Sequence, residues 1–308
     1  MSPFHPFSAA ALLLAATVTA CQAAKPARGE DAVAARPASP APAPPAAQAP
    51  AQPARDHVLF AVDDNEEGHV YGEAVAVLPA GGGYRAVPLA DSMDAFYARW
   101  LDRGHRYTLL HFGRPAGTVI VGSTDQEGCG AGGAELSGAA LHPDDGSALA
   151  TDLAIPAGPP MRRAATAAEV AEMTALLRRA VTEHGSGWGE SASVRVTRIL
   201  VPGGAEVLAG DVELRGDEAD APPAAAAFVI AERAGGAWRP AVTWVPVPPS
   251  PTEERPMSRL LLDAADLDGD GSPELVTRTG YSEWSQYTIY RRAAGGWTAV
   301  YDAHGGGC

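Results

Sequence analysis

From Val58 onward the chain reads as short apolar runs cut by Gly and Asp clusters. Val58–Val62, Val70–Leu78, Tyr107–Phe112 and Thr118–Val121 have the length and β-branched content of strands. One helix interrupts them. Met93, Phe96, Tyr97, Trp100 and Leu101 recur at helical spacing, with Asp91 or Ser92 as the cap and Gly104 as the stop, so the aromatics are expected in a core. A second helix is signalled by the capping box Thr166-x-x-Glu169, the apolar stripe Val170, Met173, Leu177 and Val181, and Gly185 at its end. The Pro and Gly run Pro156–Pro160 marks a boundary just before it, and this helix is expected to bridge two domains. Beyond Ser191 the pattern is β again. The expected fold class is α+β, predominantly β. A β-rich domain with one helix spans 57–156, a linker and helix 157–190, and a β repeat domain 191–308.

The repeat emerges when the sequence is slid along itself until Phe228–Val242 lies over Tyr287–Tyr301. Ile230 then matches Ile289, Arg233 matches Arg292, Ala234 matches Ala293, Gly236 matches Gly295 and Trp238 matches Trp297. Each copy reads as strand, Gly turn, strand. A slightly larger shift lays Gly210, Glu213 and Leu214 on Gly271, Glu274 and Leu275 and puts Ala205 and Val207 where Asp266 and Asp268 stand. On that alignment the first copy is a sister unit without aspartates.

The second copy carries the most specific chemistry in the chain. Asp266-Leu267-Asp268-Gly269-Asp270-Gly271-Ser272-Pro273-Glu274 places aspartates at alternate positions and glycine where a metal loop must turn. Calcium takes about 6–8 hard oxygens, and a loop of this spacing supplies them from positions 1, 3 and 5 and from a backbone carbonyl at 7. Those are Asp266, Asp268, Asp270 and Ser272. Position 12 is Thr277, which offers no carboxylate, so Glu274 is the natural replacement, and the flanks are β rather than helical. Crowded like charges oppose folding unless coordinated or screened.

The run DLDGDGSPELV followed by a hairpin resembles the calcium-binding repeat of FG-GAP and VCBS proteins, over about residues 259–302 and more weakly 196–242. The resemblance implies calcium held by Asp266, Asp268, Asp270 and Glu274. A propeller needs at least about four blades. Two copies point instead to a small β-sandwich or a pair of packed hairpins.

The amino terminus adds a location. Phe7–Val18 is an apolar stretch too short for the roughly 20 residues of a membrane-spanning helix. Val18-Thr19-Ala20-Cys21 resembles a bacterial lipobox, which implies a signal peptide over 1–20 and acylation of Cys21. An ordinary secretory signal cut near Ala20 or Ala23 is the alternative, left open by the absence of Lys or Arg before the apolar stretch. Several acyl chains on Cys21 would hold the protein on its bilayer. Gln22 rather than Asp after the cysteine resembles the outer-membrane pattern of a Gram-negative cell. From Ala23 to about Arg55 the chain is Ala, Pro and Gln with scattered charges, a disordered tether in composition with a reach on the order of 100 Å.

A net charge of −14 argues against nucleic acid and against adhesion to anionic lipid surfaces, and makes cations the expected small partners. Cys129 and Cys308 are the two remaining cysteines, and an exported chain is expected to pair them, with intermolecular pairing or two free thiols as the alternative should they lie too far apart. Weaker constellations carry little. Asp63-Asp64-Asn65-Glu66-Glu67-Gly68 imitates a metal loop but has Tyr71 at position 9. His105 and His111 have no third ligand, and the spacing of His111, Ser123 and Asp125 does not support a hydrolytic set. No G-x-S-x-G, H-E-x-x-H, C-x-x-C or phosphate loop is present. The expectation is a non-enzymatic, lipid-anchored envelope protein with structural calcium and an unidentified envelope protein or glycan as partner. The alternative is an envelope hydrolase with its site in the N-terminal domain.

Overall fold

The computed structural model describes residues 55–64, 70–88, 93–124, 132–138, 141, 147–188, 192–214, 225–246 and 257–307. Cys21, Cys129, Cys308, the tether and the Asn65–Gly68 turn lie outside these residues, and so does the expected cap Asp91 or Ser92. Most of the described chain is strand, as the patterning predicts.

Six antiparallel strands close a barrel: β1 (His57–Asp64), β2 (Val70–Leu78), β3 (Arg106–His111), β4 (Arg114–Ser123), β5 (Gly133–Gly138) and β6 (Ser147–Thr151), in the order β1-β2-β5-β4-β3-β6. Helix α1 (Met93–Trp100) packs Phe96, Tyr97 and Trp100 into the barrel core beside Val58, Phe60 and Val62. Leu59 and Ala61, the alternate residues of β1, belong to a second core on the barrel's outer wall. A strand buried on both faces has no polar alternation, which is why Val58–Val62 reads as an unbroken apolar run.

Two sheets follow. The first has the order β11-β10-β9-β8-β7, from β7 (Arg162–Ala164), β8 (Ala192–Leu200), β9 (Glu206–Leu214), β10 (Ala225–Ala234) and β11 (Ala237–Trp244). The second is the meander β12 (Ser258–Ala265), β13 (Glu274–Gly280), β14 (Trp284–Ala293) and β15 (Gly296–Gly307). The second sheet lies between the barrel and the first. Val276, Tyr287 and Ile289 share a core with Leu59, Leu110 and Leu149 of the barrel wall, while Leu275, Tyr290 and Trp297 share another with Ile199, Phe228 and Ile230.

Helix α2 (Ala167–Glu183) covers the remaining face of the first sheet. Its capping box forms as the T-x-x-E spacing predicts: the Glu169 N–H donates to Thr166 Oγ1 at 3.3 Å, and the Thr166 N–H to Glu169 Oε2 at 2.8 Å. Met173, Leu177 and Val181 are buried against Val212, Ala227 and Val229. Gly210 lets the helix approach, because a Cβ there would come within 2.5 Å of Met173 Cγ. The helix joins the barrel to the repeat in sequence, but its packing belongs to the first sheet.

The hairpins of the two sheets repeat register for register. Ile230 pairs with Val242 and Ile289 with Tyr301, with a bulge at the next residue in both, and Arg233–Trp238 corresponds to Arg292–Trp297. The preceding strands do not follow the shift expected from the sequence. Ala209 lies beside Ile230 as Val276 lies beside Ile289, so the counterpart of Glu274 is Val207 and not Glu213. The reason is loop length: the first copy crosses from β8 to β9 through a tight 3₁₀ turn at Pro202–Gly204, and the second through Asp266–Pro273.

Candidate metal centre

The acidic loop leaves β12 after Ala265 and returns at Glu274, the first residue of β13. Gly269 and Gly271 adopt φ of +79° and +87°, a left-handed conformation in which a side chain is strained. These two turns let the loop fold around its first aspartate. Asp266 Oδ1 accepts the Gly269 N–H at 2.8 Å, and Oδ2 accepts the Gly271 N–H at 3.0 Å. Asp268 Oδ1 accepts from the Asp270 N–H at 3.1 Å and Asp270 Oδ1 from the Ser272 N–H at 2.7 Å. Short side chains bonding backbone two residues on are Asx turns, which suit Asp at alternate positions.

Three of the expected carboxylates converge. One oxygen from each of Asp266, Asp268 and Glu274 lies within 4.8 Å of the others. Calcium–oxygen bonds of about 2.3–2.6 Å separate opposed ligands by about 5 Å, so this spacing fits one ion. Asp270 is exposed and outside that group, its carboxylate turned to Ser272. Ser272 sits between them in the chain, part-way out of solvent.

Glu274 is fully buried. Burial pushes its pKa up to about 7, with the charge of Asp268 adding to the rise, against the Leu267 N–H and Arg291, which favour the ionised form. Leu267 N–H donates to Glu274 Oε2 at 2.9 Å. Arg291, on β14 one step beyond the Leu275–Tyr290 pair, donates Nε to Glu274 Oε1 at 2.9 Å and brings Nη2 to Asp268 Oδ2 at 2.6 Å. The guanidinium therefore neutralises part of the cluster.

Sequence patterning does not reveal Arg291, because its link to the loop runs through the β13–β14 register. Tyr84 is also absent from that reading. Its hydroxyl is enclosed without a hydrogen-bond partner among the described residues, and burial followed by the charge of Glu274 raises its pKa. Tyr84 also lines a cavity of about 250 Å3 that reaches Leu267 and Asp268.

The weaker constellations resolve into structural contacts. Asp63 pairs with Arg278, and Ser123 Oγ donates to Glu135 Oε2 at 2.7 Å. His111 stacks on Phe112 at 3.8 Å and His105 is exposed beside Tyr107. Asp125 lies outside the described residues. Compared with protein-family models, curated proteins and solved structures, the chain matches none of them.

Proposed function

We propose that the loop 266–274 holds one structural calcium ion in a lipid-anchored envelope protein whose role is binding, not catalysis. The observation that carries the calcium assignment is the approach of Asp266, Asp268 and Glu274 to within 4.8 Å around two left-handed glycines. Asp266, Asp268 and Glu274 would hold the ion directly, and Asp270 would join them only by turning away from the Ser272 N–H that it now accepts. The ion supplies positive charge that fixes the crossing between β12 and β13.

A membrane anchor at Cys21, a signal over 1–20 and a tether to about Arg55 rest on the sequence. Among the described residues no helix is long and apolar enough to cross a membrane. Phe60, Tyr107 and Trp100 fill the barrel core, so a protein or glycan partner would be met on the barrel's surface.

Arg291 supports a second reading in which the guanidinium alone neutralises the turn. Melting with calcium and with a chelator separates the two. For calcium at ten times its dissociation constant, binding adds about 1.4 kcal/mol of stability, and Asp268→Ala abolishes that gain. In Arg291→Gln, calcium restores the stability lost in chelator if the ion reading holds. No calcium shift in either protein establishes the arginine-held turn instead.

A further inference from the structure

The start of β1, the end of α1, the start of β3 and the residue after β6 frame a cleft of about 430 Å3 on the barrel, with Trp100 and Tyr107 buried behind it. Arg55, Arg99, His105 and Arg106 line it, with Asp56 and Asp152 as the only carboxylates in its lining among the described residues. Arg85 adds a further guanidinium at its edge, 3.3 Å from Asp56 Oδ2.

The two carboxylates are already shared. Asp56 Oδ2 also lies 3.4 Å from Arg99 Nη1, and Asp56 Oδ1 accepts the Ala80 N–H at 3.2 Å. Asp152 Oδ2 lies 3.5 Å from Arg55 Nη2 and 3.3 Å from His57 Nδ1, and its Oδ1 accepts the Val58 N–H at 2.9 Å. Among the described residues Arg106 has no carboxylate partner, and its side chain is exposed. Four guanidiniums thus face two carboxylates, a local excess of positive charge on a chain of net charge −14.

The existing pairs leave these arginines available. Contacts of 3.3–3.5 Å are long for charge-assisted bonds, and the Arg55 and Arg99 side chains keep 61% and 51% of their exposure, so solvent screens them. The carbonyls at the end of α1 favour cations, which offsets part of the excess, but that effect stays within the last turn and the Trp100 carbonyl is taken by the Tyr107 hydroxyl.

We propose that this cleft binds an oxyanion of the phosphate type through Arg55, Arg99 and Arg106. Guanidinium forks match phosphate oxygens from several directions at once, and a doubly charged group balances the excess where a single carboxylate would not. The proposal does not depend on the calcium loop.

The test compares the full chain with Arg55→Gln/Arg106→Gln, and with Arg106→Gln alone, which breaks no carboxylate pair. Inorganic phosphate should raise the wild-type melting temperature relative to sodium chloride of equal ionic strength, and the double variant should need roughly tenfold more phosphate for the same shift. In parallel, all three proteins are sedimented with phosphatidylcholine vesicles that contain or lack phosphatidylglycerol. A phosphate-dependent shift without a vesicle preference identifies a soluble phosphate ester as the source. A preference for phosphatidylglycerol that the variants lose identifies a lipid headgroup. No response to either probe, or equal responses in wild type and variants, overturns the site.

Discussion

Asp263 is where the barrel and both sheets meet. It sits at the β12 bulge with no exposure, accepts the Gly113 N–H from the β3–β4 turn at 2.9 Å, and receives Arg162 Nε from β7 at 2.5 Å. Arg162 in turn lies over the Phe112 ring, 4.5 Å from its centroid. Removing one partner of a buried pair strands the other, so Asp263→Ala should cost about 3–5 kcal/mol in urea unfolding. Gly113 is tighter still: at φ +72° its Cβ would stand 2.1 Å from the Ala264 carbonyl oxygen. Gly113→Ala combines backbone strain with a clash against backbone, and should lower stability by about 2 kcal/mol or more.

Asp211 gives the molecule a pH dependence. Burial raises its pKa to about 6, outweighing Arg195, whose Nε bonds Asp211 Oδ2 at 2.9 Å. In the unfolded chain an Asp titrates near about 3.9, so protons favour the native state. The stability from this group is full below about pH 4 and lost as pH rises through 6, a change of about 3 kcal/mol. Urea midpoints measured between those values should fall with pH in the wild type, and the Asp211→Asn variant should lack that component of the slope.

Among the elements, α2 is written most plainly in the sequence, because its cap, stripe and stop are local signals that tertiary packing does not override. Thr166→Ala should cost about 1 kcal/mol, read as a lower thermal midpoint, since it frees the Glu169 N–H that Thr166 Oγ1 accepts. Strands β1 to β4 are legible from their apolar runs. Strands β5, β6 and β7 are not: GAELSG, SALAT and RRA carry small residues and almost no β-branched content, and they exist because neighbouring strands supply the pairing. Repetition of the hairpin is legible from Trp238 and Trp297, while the offset of the preceding strands is hidden by the unequal loops. For the candidate site, Asp266, Asp268 and Glu274 follow from spacing within one loop, whereas Arg291 and Tyr84 reach it from a neighbouring strand and from the barrel.

At the scale of the molecule, the second sheet is buried from both sides, which accounts for Thr277, Thr279 and Thr288 lying inside and for a carboxylate at Glu274 with no access to solvent. Across it, the Tyr301 hydroxyl reaches the Val75 carbonyl of the barrel at 2.7 Å, and Glu232 of the first sheet takes Arg292 Nε at 2.7 Å and Trp297 Nε1 at 2.8 Å. The loop 266–274 stands at an end of this central layer, so an ion there would stabilise the layer on which the barrel and the first sheet both pack. Calorimetric titration of calcium into the chelator-treated full chain tests this most directly. One site with a dissociation constant of roughly 10⁻⁵ to 10⁻³ M, lost in Asp268→Ala, is the expected result. Absence of saturable binding, or binding unchanged by Asp268→Ala, would contradict the calcium assignment.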